Sequence, residues 1–440
     1  MTSYYADLHI HSRYSRATSP TCTPEGLHHW AQIKGVGVCG TGDCTHPLWL
    51  SELQAKLVED SSGLYTLRSE LRPEADAGVP ETCRRPVRFM VTGEISSIYK
   101  RDGRVRKIHN LILLPSLDAA EKLNRRLDQI GNIRSDGRPI LGLDPRLLLE
   151  ILLETDPRAA LIPAHIWTPW FSMLGAKSGF DSIEECFGDL SRHIFAVETG
   201  LSSDAPMNRR IRCLDSVALI SNSDLHSPAN LGRNANLFFG EPSYDTIING
   251  LRTQDPNICG GTIDLFPEEG KYHLDGHREC KTRLTPEQSM ALGNICPACG
   301  KEVTIGVLHR VVELEQQQGA MPRSQAGKTR GNNPTTPTPQ NSRAAETLPH
   351  LPYRYIIPLP ELLAQQLQVG VNSKKVKSAY LRLLSENGPE LPFMLDSPAD
   401  ELANIGVIGQ ALLSVRQGRV ERIGGYDGEY GRVTPILAPL

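Results

Sequence analysis

The amino-acid sequence predicts an α/β fold: a distorted seven-stranded barrel over residues 1–252, then a small Cys-containing module, then a mostly helical C-terminal domain. Three observations predict it. Short β-rich apolar runs recur seven times in the first 250 residues, each closed by polar residues and followed by a stretch with helical spacing. Side chains suited to ligand binding gather at the ends of those runs, where a parallel α/β barrel carries its site. The texture then changes twice, first to a Gly- and Cys-rich segment and later to amphipathic periodicity.

The runs are "YYADLHIH", "VGVCGTGD", "RFMVTGEIS", "KIHNLILLP", "AALIPAHI", "IFAVETG" and "VALISNSDLH", with helix-like pieces such as "EGLHHWAQIKG" and "PSLDAAEKLNRRLDQIG" between them. Strands separated by helical crossovers argue for a parallel barrel over an antiparallel sandwich. In the first run, period-two geometry sends His9 and His11 to one face, where two neutral imidazoles suit a shared metal ion. His11, Asp43, Glu94, His165, Glu198, Asp224 and His226 all fall at or just after a run's end, and only His109 lies near the start of one. Asp43 is alternatively a helix cap, and Glu198 a partner for Arg209 or Arg210. Asp7 is expected to orient an imidazole rather than bind metal.

Hydrophobic residues make up 39% of the 440, charged residues 22%, and the formal net charge is −3. No apolar run approaches the roughly 20 residues of a membrane helix, and the N-terminus lacks a basic segment followed by an apolar one. A cytoplasmic protein is expected. The charge excludes a polybasic chain but leaves room for a local basic groove that binds phosphates.

Residues 253–316 hold His277-x-x-Cys280 and Cys296-x-x-Cys299, a spacing that fits one tetrahedral structural zinc, with His273 or Cys259 as alternatives to His277. Residues 317–350, rich in Gln, Asn, Thr, Pro and Gly, are expected to form a disordered linker. From 351 to 440 the helical pattern carries Lys374, Lys375 and Lys377, and later Arg416, Arg419 and Arg422, as candidate phosphate contacts. Directly after His165 stand Trp167, Trp170 and Phe171, fit either to stack on a base or to wall the barrel's mouth. Ser172, Lys177 and Ser178 are candidate contacts beside them.

Taken together, "DLHIHS", "GTGDCTHP", "TGEIS", "IHNLIL", "PAH", "VETG" and "NSDLHS" resemble, in order and spacing, the motifs of the PHP family of metal-dependent phosphoesterases. The resemblance implies a distorted (βα)7 PHP barrel holding a divalent metal cluster of zinc, magnesium or manganese, which activates water for attack on phosphorus. It implies that His9, His11, Glu94 and Asp224 hold one ion, and that Glu94 bridges to a second held by His109 and His165. His226 would help hold a third near Asp43 and His46, although the histidine that relatives often carry after the HxH is missing from Arg13 to Ala17. Asp224, Glu94 and His226 are the residues implied in catalysis.

"FPEEGKYHLDGH" in the module and "GYDGEYG" at 425–431 extend the resemblance to the endonuclease Q family of DNA repair nucleases. That implies cleavage 5′ to a deaminated base (hypoxanthine, uracil or xanthine) or an abasic site, leaving a 3′ hydroxyl. DNA is then the expected partner of a monomer that binds no membrane, with Gly425–Gly431 contacting either DNA or a protein such as a sliding clamp. Two rivals remain, a small-molecule phosphatase of the histidinol phosphatase kind and a non-catalytic DNA-binding scaffold.

Overall fold

The computed structural model describes residues 2–319 and 350–437. Seven strands form a distorted ring: β1 (Ser3–Asp7), β2 (Val36–Gly40), β3 (Arg88–Arg101), β4 (Arg104–Leu114), β5 (Ala160–Pro163), β6 (Ala196–Glu198) and β7 (Ala218–Ile220). β1, β2 and β3 pair in parallel, as do β6 and β7, while β4 is antiparallel to both β3 and β5. The ring closes through Ile166 N–H donating to the Glu198 carbonyl at 3.1 Å and through a parallel bridge between Ile10 and Leu225.

β4 departs from the expected all-parallel order. No helix crosses over between β3 and β4; the two residues Asp102 and Gly103 join them, at φ 53° and 73°. Two successive positive φ values are what a type I′ hairpin turn requires, and Asp-Gly supplies them cheaply. Because β4 runs backwards, its early residue His109 arrives at the same barrel end as the late residues of the other strands. It pairs with Ser96, two positions beyond Glu94.

The sheet continues outward from β1 through β8 (Ala235–Phe239), β9 (Cys259–Leu265) and β10 (Tyr353–Ile356). The small module therefore starts later than residue 253: β9 belongs to the main sheet, and Cys259 is buried in the core beneath it. Helices between strands begin at side-chain caps, with Thr23 receiving Gly26 N–H, Ser116 receiving Ala119 N–H and Ser243 receiving Thr246 N–H. Their apolar faces and the strands enclose Trp49, Phe89, Trp167 and Phe187, all fully buried. Each such side chain contributes roughly 1.5–3 kcal/mol of burial free energy.

The C-terminal region is not purely helical. β10 adds to the main sheet, and a hairpin of Val420–Ile423 with Arg432–Pro435 follows helix Val407–Arg416. The loop Gly425–Gly431 has its backbone engaged against the module: Gly425, Gly428 and Gly431 donate to the carbonyls of Glu268, Lys271 and Glu269, and Gly425 accepts from Leu274. These bonds clasp the loop's backbone to the module, while Tyr430 stays 76% exposed. Of the expected linker, residues 320–349 lie outside the described residues, while 317–319 end helix Val307–Gly319. Among the described residues no helix is long and apolar enough to cross a membrane.

Candidate active site

At the end of β1 the two imidazoles point their Nε2 atoms to a common place, because each Nδ1 is held from behind by a buried carboxylate. His9 Nδ1 lies 3.0 Å from both oxygens of Glu198, and His11 Nδ1 lies 3.0 Å from Asp43 Oδ1. An Nδ1–H donated to carboxylate fixes the tautomer that leaves Nε2 free to bind metal. Glu198 also accepts His165 N–H and the Asn222 side-chain amide, both at 2.8 Å. Gly200 follows it at φ 68°, where a Cβ would stand 2.5 Å from His165 Cβ, so this turn admits only glycine.

Glu94, fully buried on β3, turns its two oxygens toward different groups. Oε2 lies 3.5 Å from His9 Nε2 and 3.3 Å from His11 Nε2; Oε1 lies 2.7 Å from His109 Nδ1 and 3.2 Å from His165 Nε2. Asp224 completes the first set with Oδ1 3.0 Å from His11 Nε2. Two donor groups result, His9–His11–Glu94–Asp224 and Glu94–His109–His165, in each of which one ligand atom per residue lies within 4.8 Å of the others. His9 Nε2 is buried without a hydrogen-bond partner. A buried orphan nitrogen facing two carboxylates fits a metal ion better than any partner the chain offers it.

The buried carboxylates and imidazoles of the site hold one another's charge. Burial opposes charge on His9 and His11, yet the carboxylates of Glu198 and Glu94, and of Asp43, outweigh it and hold both imidazoles well above their ordinary pKa. Burial likewise opposes ionisation of Glu94 and Asp224, and neighbouring histidines hold both well below the usual carboxylate range. Burial pushes His109 down to about 4, keeping it neutral and fit to donate a lone pair. Asp43, His165 and Asp224 carry positive φ, as does Phe171, whose carbonyl accepts His109 N–H at 3.0 Å. Such strained backbone concentrates at functional sites.

Several expected residues sit elsewhere. Asp43 accepts from Ser12 N–H, Ser12 Oγ and Ser15 Oγ as well as His11, which uses its lone pairs and makes it an orienting group. His46 caps its own helix, accepting Trp49 N–H, and directs Nε2 at the Arg134 carbonyl, 3.1 Å away. His226 stands at the rim, its ring centroid 4.6 Å from that of His11. No third set of three donors forms around it among the described residues. Asp7 orients no imidazole; it accepts Ser223 and Gly232 N–H and so anchors the backbone before Asp224. Arg209 and Arg210 turn away from Glu198, to the carbonyls of Leu214 and Val217 and to Glu315.

Trp167 is only 1% exposed, its Nε1–H donating to Asn208 at 2.7 Å. Ser172 and Ser178 are buried struts of the same loop, donating to the Thr168 and Lys107 carbonyls. These three are internal and do not form a DNA-facing surface. Trp170, 40% exposed, meets Tyr272 of the module edge-on at 5.9 Å, while Phe171 packs on His109 at 5.0 Å. Lys177, Lys374, Lys375 and Lys377 are exposed. Sequence reasoning missed Arg138, whose Nη1 lies 3.1 Å from Glu94 Oε2; a single arginine in a polar loop carries no pattern to find it by.

In the module, His277, Cys280, Cys296 and Cys299 bring one ligand atom each within 4.8 Å of the others, in a set with the composition of a tetrahedral zinc site. The alternatives are out of reach, Cys259 in β9 and His273 buried beside Gly424.

Residues 358–419 match the family described as the MJ0043 C-terminal domain. An uncharacterised protein, YqxK of Bacillus subtilis, is 28% identical over 99% of this chain and its own full length. An uncharacterised protein, MJ0043 of Methanocaldococcus jannaschii, is 28% identical over 61% of this chain, which spans only 31% of that protein. Among solved structures, the lesion-specific endonuclease PfuEndoQ from Pyrococcus furiosus superposes with a TM-score of 0.79 at 29% identity, covering 99% of this chain and 96% of that one. Endonuclease Q bound to a 27-mer duplex with an abasic lesion at its active site superposes with a TM-score of 0.77 at 28% identity, covering 99% and 97%. Likeness over nearly the whole length of both solved structures, together with the PHP-type α/β barrel, the Cys/His cluster and the helical C-terminal region of this chain, supports an assignment to the endonuclease Q family.

Proposed function

We propose that this chain is a metal-dependent DNA repair endonuclease that hydrolyses the phosphodiester bond 5′ to a deaminated base (hypoxanthine, uracil or xanthine) or an abasic site. The observation that carries the reading is the pair of donor sets sharing Glu94, with the Phe171 ring packed against His109 of the second set. Divalent ions, when bound, supply Lewis-acid polarisation of the phosphoryl group and acidify water. His9, His11, Glu94 and Asp224 would hold one, and Glu94, His109 and His165 another.

The remaining work falls to side chains of the chain itself. Asp224 keeps its carboxylate 26% exposed at the mouth and takes the proton of the attacking water. His226, 33% exposed next to it, faces the incoming phosphate from the rim. Trp170 and Phe171 offer rings to a base displaced from the stack, and Lys177, Lys374, Lys375 and Lys377 offer charge to the backbone phosphates. A structural zinc on His277, Cys280, Cys296 and Cys299 would stiffen a segment with only a small core of its own. None of the ten cysteines is joined in a disulfide, in accord with a reducing, cytoplasmic setting, in which we take the protein to act as a monomer.

Labelled duplexes carrying uracil, hypoxanthine or an abasic site, incubated with and without chelator, test the reading. Nicks on the 5′ side of the lesion with a 3′ hydroxyl, abolished by chelator, are expected. Release of inorganic phosphate from monoesters without nicking would assign the site to a phosphatase, and unchanged nicking by Asp224→Asn would overturn the assigned chemistry.

A further inference from the structure

The loop ahead of the short strand Ile140–Leu141, which pairs in parallel with Ser96 and Ser97 of β3, delivers one arginine to the donor sets, and nothing in the chemistry above uses it. Gly137 N–H donates to the Tyr14 carbonyl at 3.0 Å, and a Cβ at Gly137 would meet Asp43 Oδ2 at 2.2 Å and Ser15 Oγ at 2.4 Å. Only glycine lets the loop lie so close to the residues that orient His11. Asp136 accepts Arg138 N–H at 3.2 Å and pairs with Arg16 at 3.3 Å, and the Pro139 carbonyl accepts Ser96 N–H at 3.0 Å. The backbone of Arg138 is thus fixed on both sides, between the His11–Asp43 unit and the strand that carries Glu94.

Its side chain reaches inward from the mouth, 28% exposed against 0% for Glu94. Among the described residues the guanidinium makes one hydrogen bond, from Nη1 to Glu94 Oε2. A guanidinium carries five N–H donors in a planar fork, so most of its capacity is open. Glu94 Oε2 is also the oxygen that faces His9 and His11 in the first donor set. An ion held by that set would share this oxygen, and the open donors of the guanidinium, exposed at the mouth, would then be available to a phosphate bound there. Bidentate pairing with phosphate is the geometry that the guanidinium suits best.

We propose that Arg138 binds a non-bridging oxygen of the scissile phosphate, a substrate contact beyond the metal ligands. The proposal rests on the nuclease reading above. The alternative role, a counter-charge for Glu94 alone, makes different predictions about metal and DNA.

The test compares wild type, Arg138→Gln and Arg138→Lys by metal content, nicking rate on the abasic duplex, and duplex binding in calcium. Binding is measured with either a phosphodiester or an uncharged methylphosphonate at the scissile linkage. Wild-type nicking is read first, and its absence would sink the nuclease reading itself, independently of Arg138. If Arg138 grips this phosphate, R138Q retains wild-type metal content and loses about 100-fold in rate. It also loses about one unit of the salt slope of binding, and it no longer distinguishes the methylphosphonate from the phosphodiester as wild type does. R138K, which keeps a positive charge beside Glu94 and guards against misfolding, restores the salt slope but not the full rate. Wild-type nicking by R138Q, additive effects of R138Q and the methylphosphonate, or loss of bound metal from both variants would each overturn the proposal.

Discussion

Glu198 illustrates how much of the centre depends on a residue that touches no ion. Its carboxylate holds the buried His9 ring, the His165 backbone and the buried Asn222 amide together. Glu198→Ala leaves these donors unsatisfied and frees the His9 tautomer, so metal affinity should fall about 10–100-fold, read by titration of the metal-free protein. Unchanged affinity would show that packing alone sets the ring. The six residues of the two donor sets were legible in the sequence as candidates because each ends, or in one case begins, an apolar run. Asp43 and His46 misled for a physical reason: a carboxylate or imidazole at a strand end looks the same whether it faces the ion or a neighbouring hydroxyl, carbonyl or helix terminus. Arg138 was illegible because its position depends on contacts of Gly137 with Asp43 and Pro139 with Ser96, far apart in the chain.

At the scale of the element, the hairpin of β3 and β4 sets where His109 stands. Its register pairs Glu94 with Leu111 and Ser96 with His109, and a slip by one residue would send the imidazole to the opposite face. Gly103→Val forces a branched residue into φ 73° and should cost at least about 1–2 kcal/mol, measured as a lower urea midpoint. An unshifted midpoint would mean that the turn follows the strands instead of fixing them. The seven strands were readable from apolar runs, but the parallel order expected for them overlooked the reversal of β4. The Asp-Gly pair between "YKR" and "RVRK" is a strong hairpin signal, and His109 near the start of its run pointed the same way, since only a reversed strand brings such a residue to the barrel's functional end.

Across the whole molecule, the sequence suggests three separable pieces, whereas the structure ties them into one. β10 extends the barrel's sheet, Phe266 stacks on Tyr355 at 4.5 Å, and Arg310 from helix Val307–Gly319 donates to Leu174 and Phe180 carbonyls of the barrel. Composition cannot reveal such docking, because a strand of four residues in a helical region gives too short a period to recognise. A further link is a buried ion pair between Lys34, at the end of helix Pro24–Lys34, and Glu390 of the C-terminal region. Glu390 also accepts Leu359 N–H at 3.1 Å and the Tyr380 hydroxyl, so one carboxylate holds three elements. Glu390→Ala would strand the Lys34 ammonium in the interior, at a cost of about 3–5 kcal/mol. If the C-terminal helices are part of the barrel's cooperative unit, the variant should unfold in one transition at a clearly lower urea midpoint. If they form an independent domain, a second transition at the wild-type midpoint should survive, reporting a barrel indifferent to the loss, and the integrated architecture argued from these contacts would be wrong.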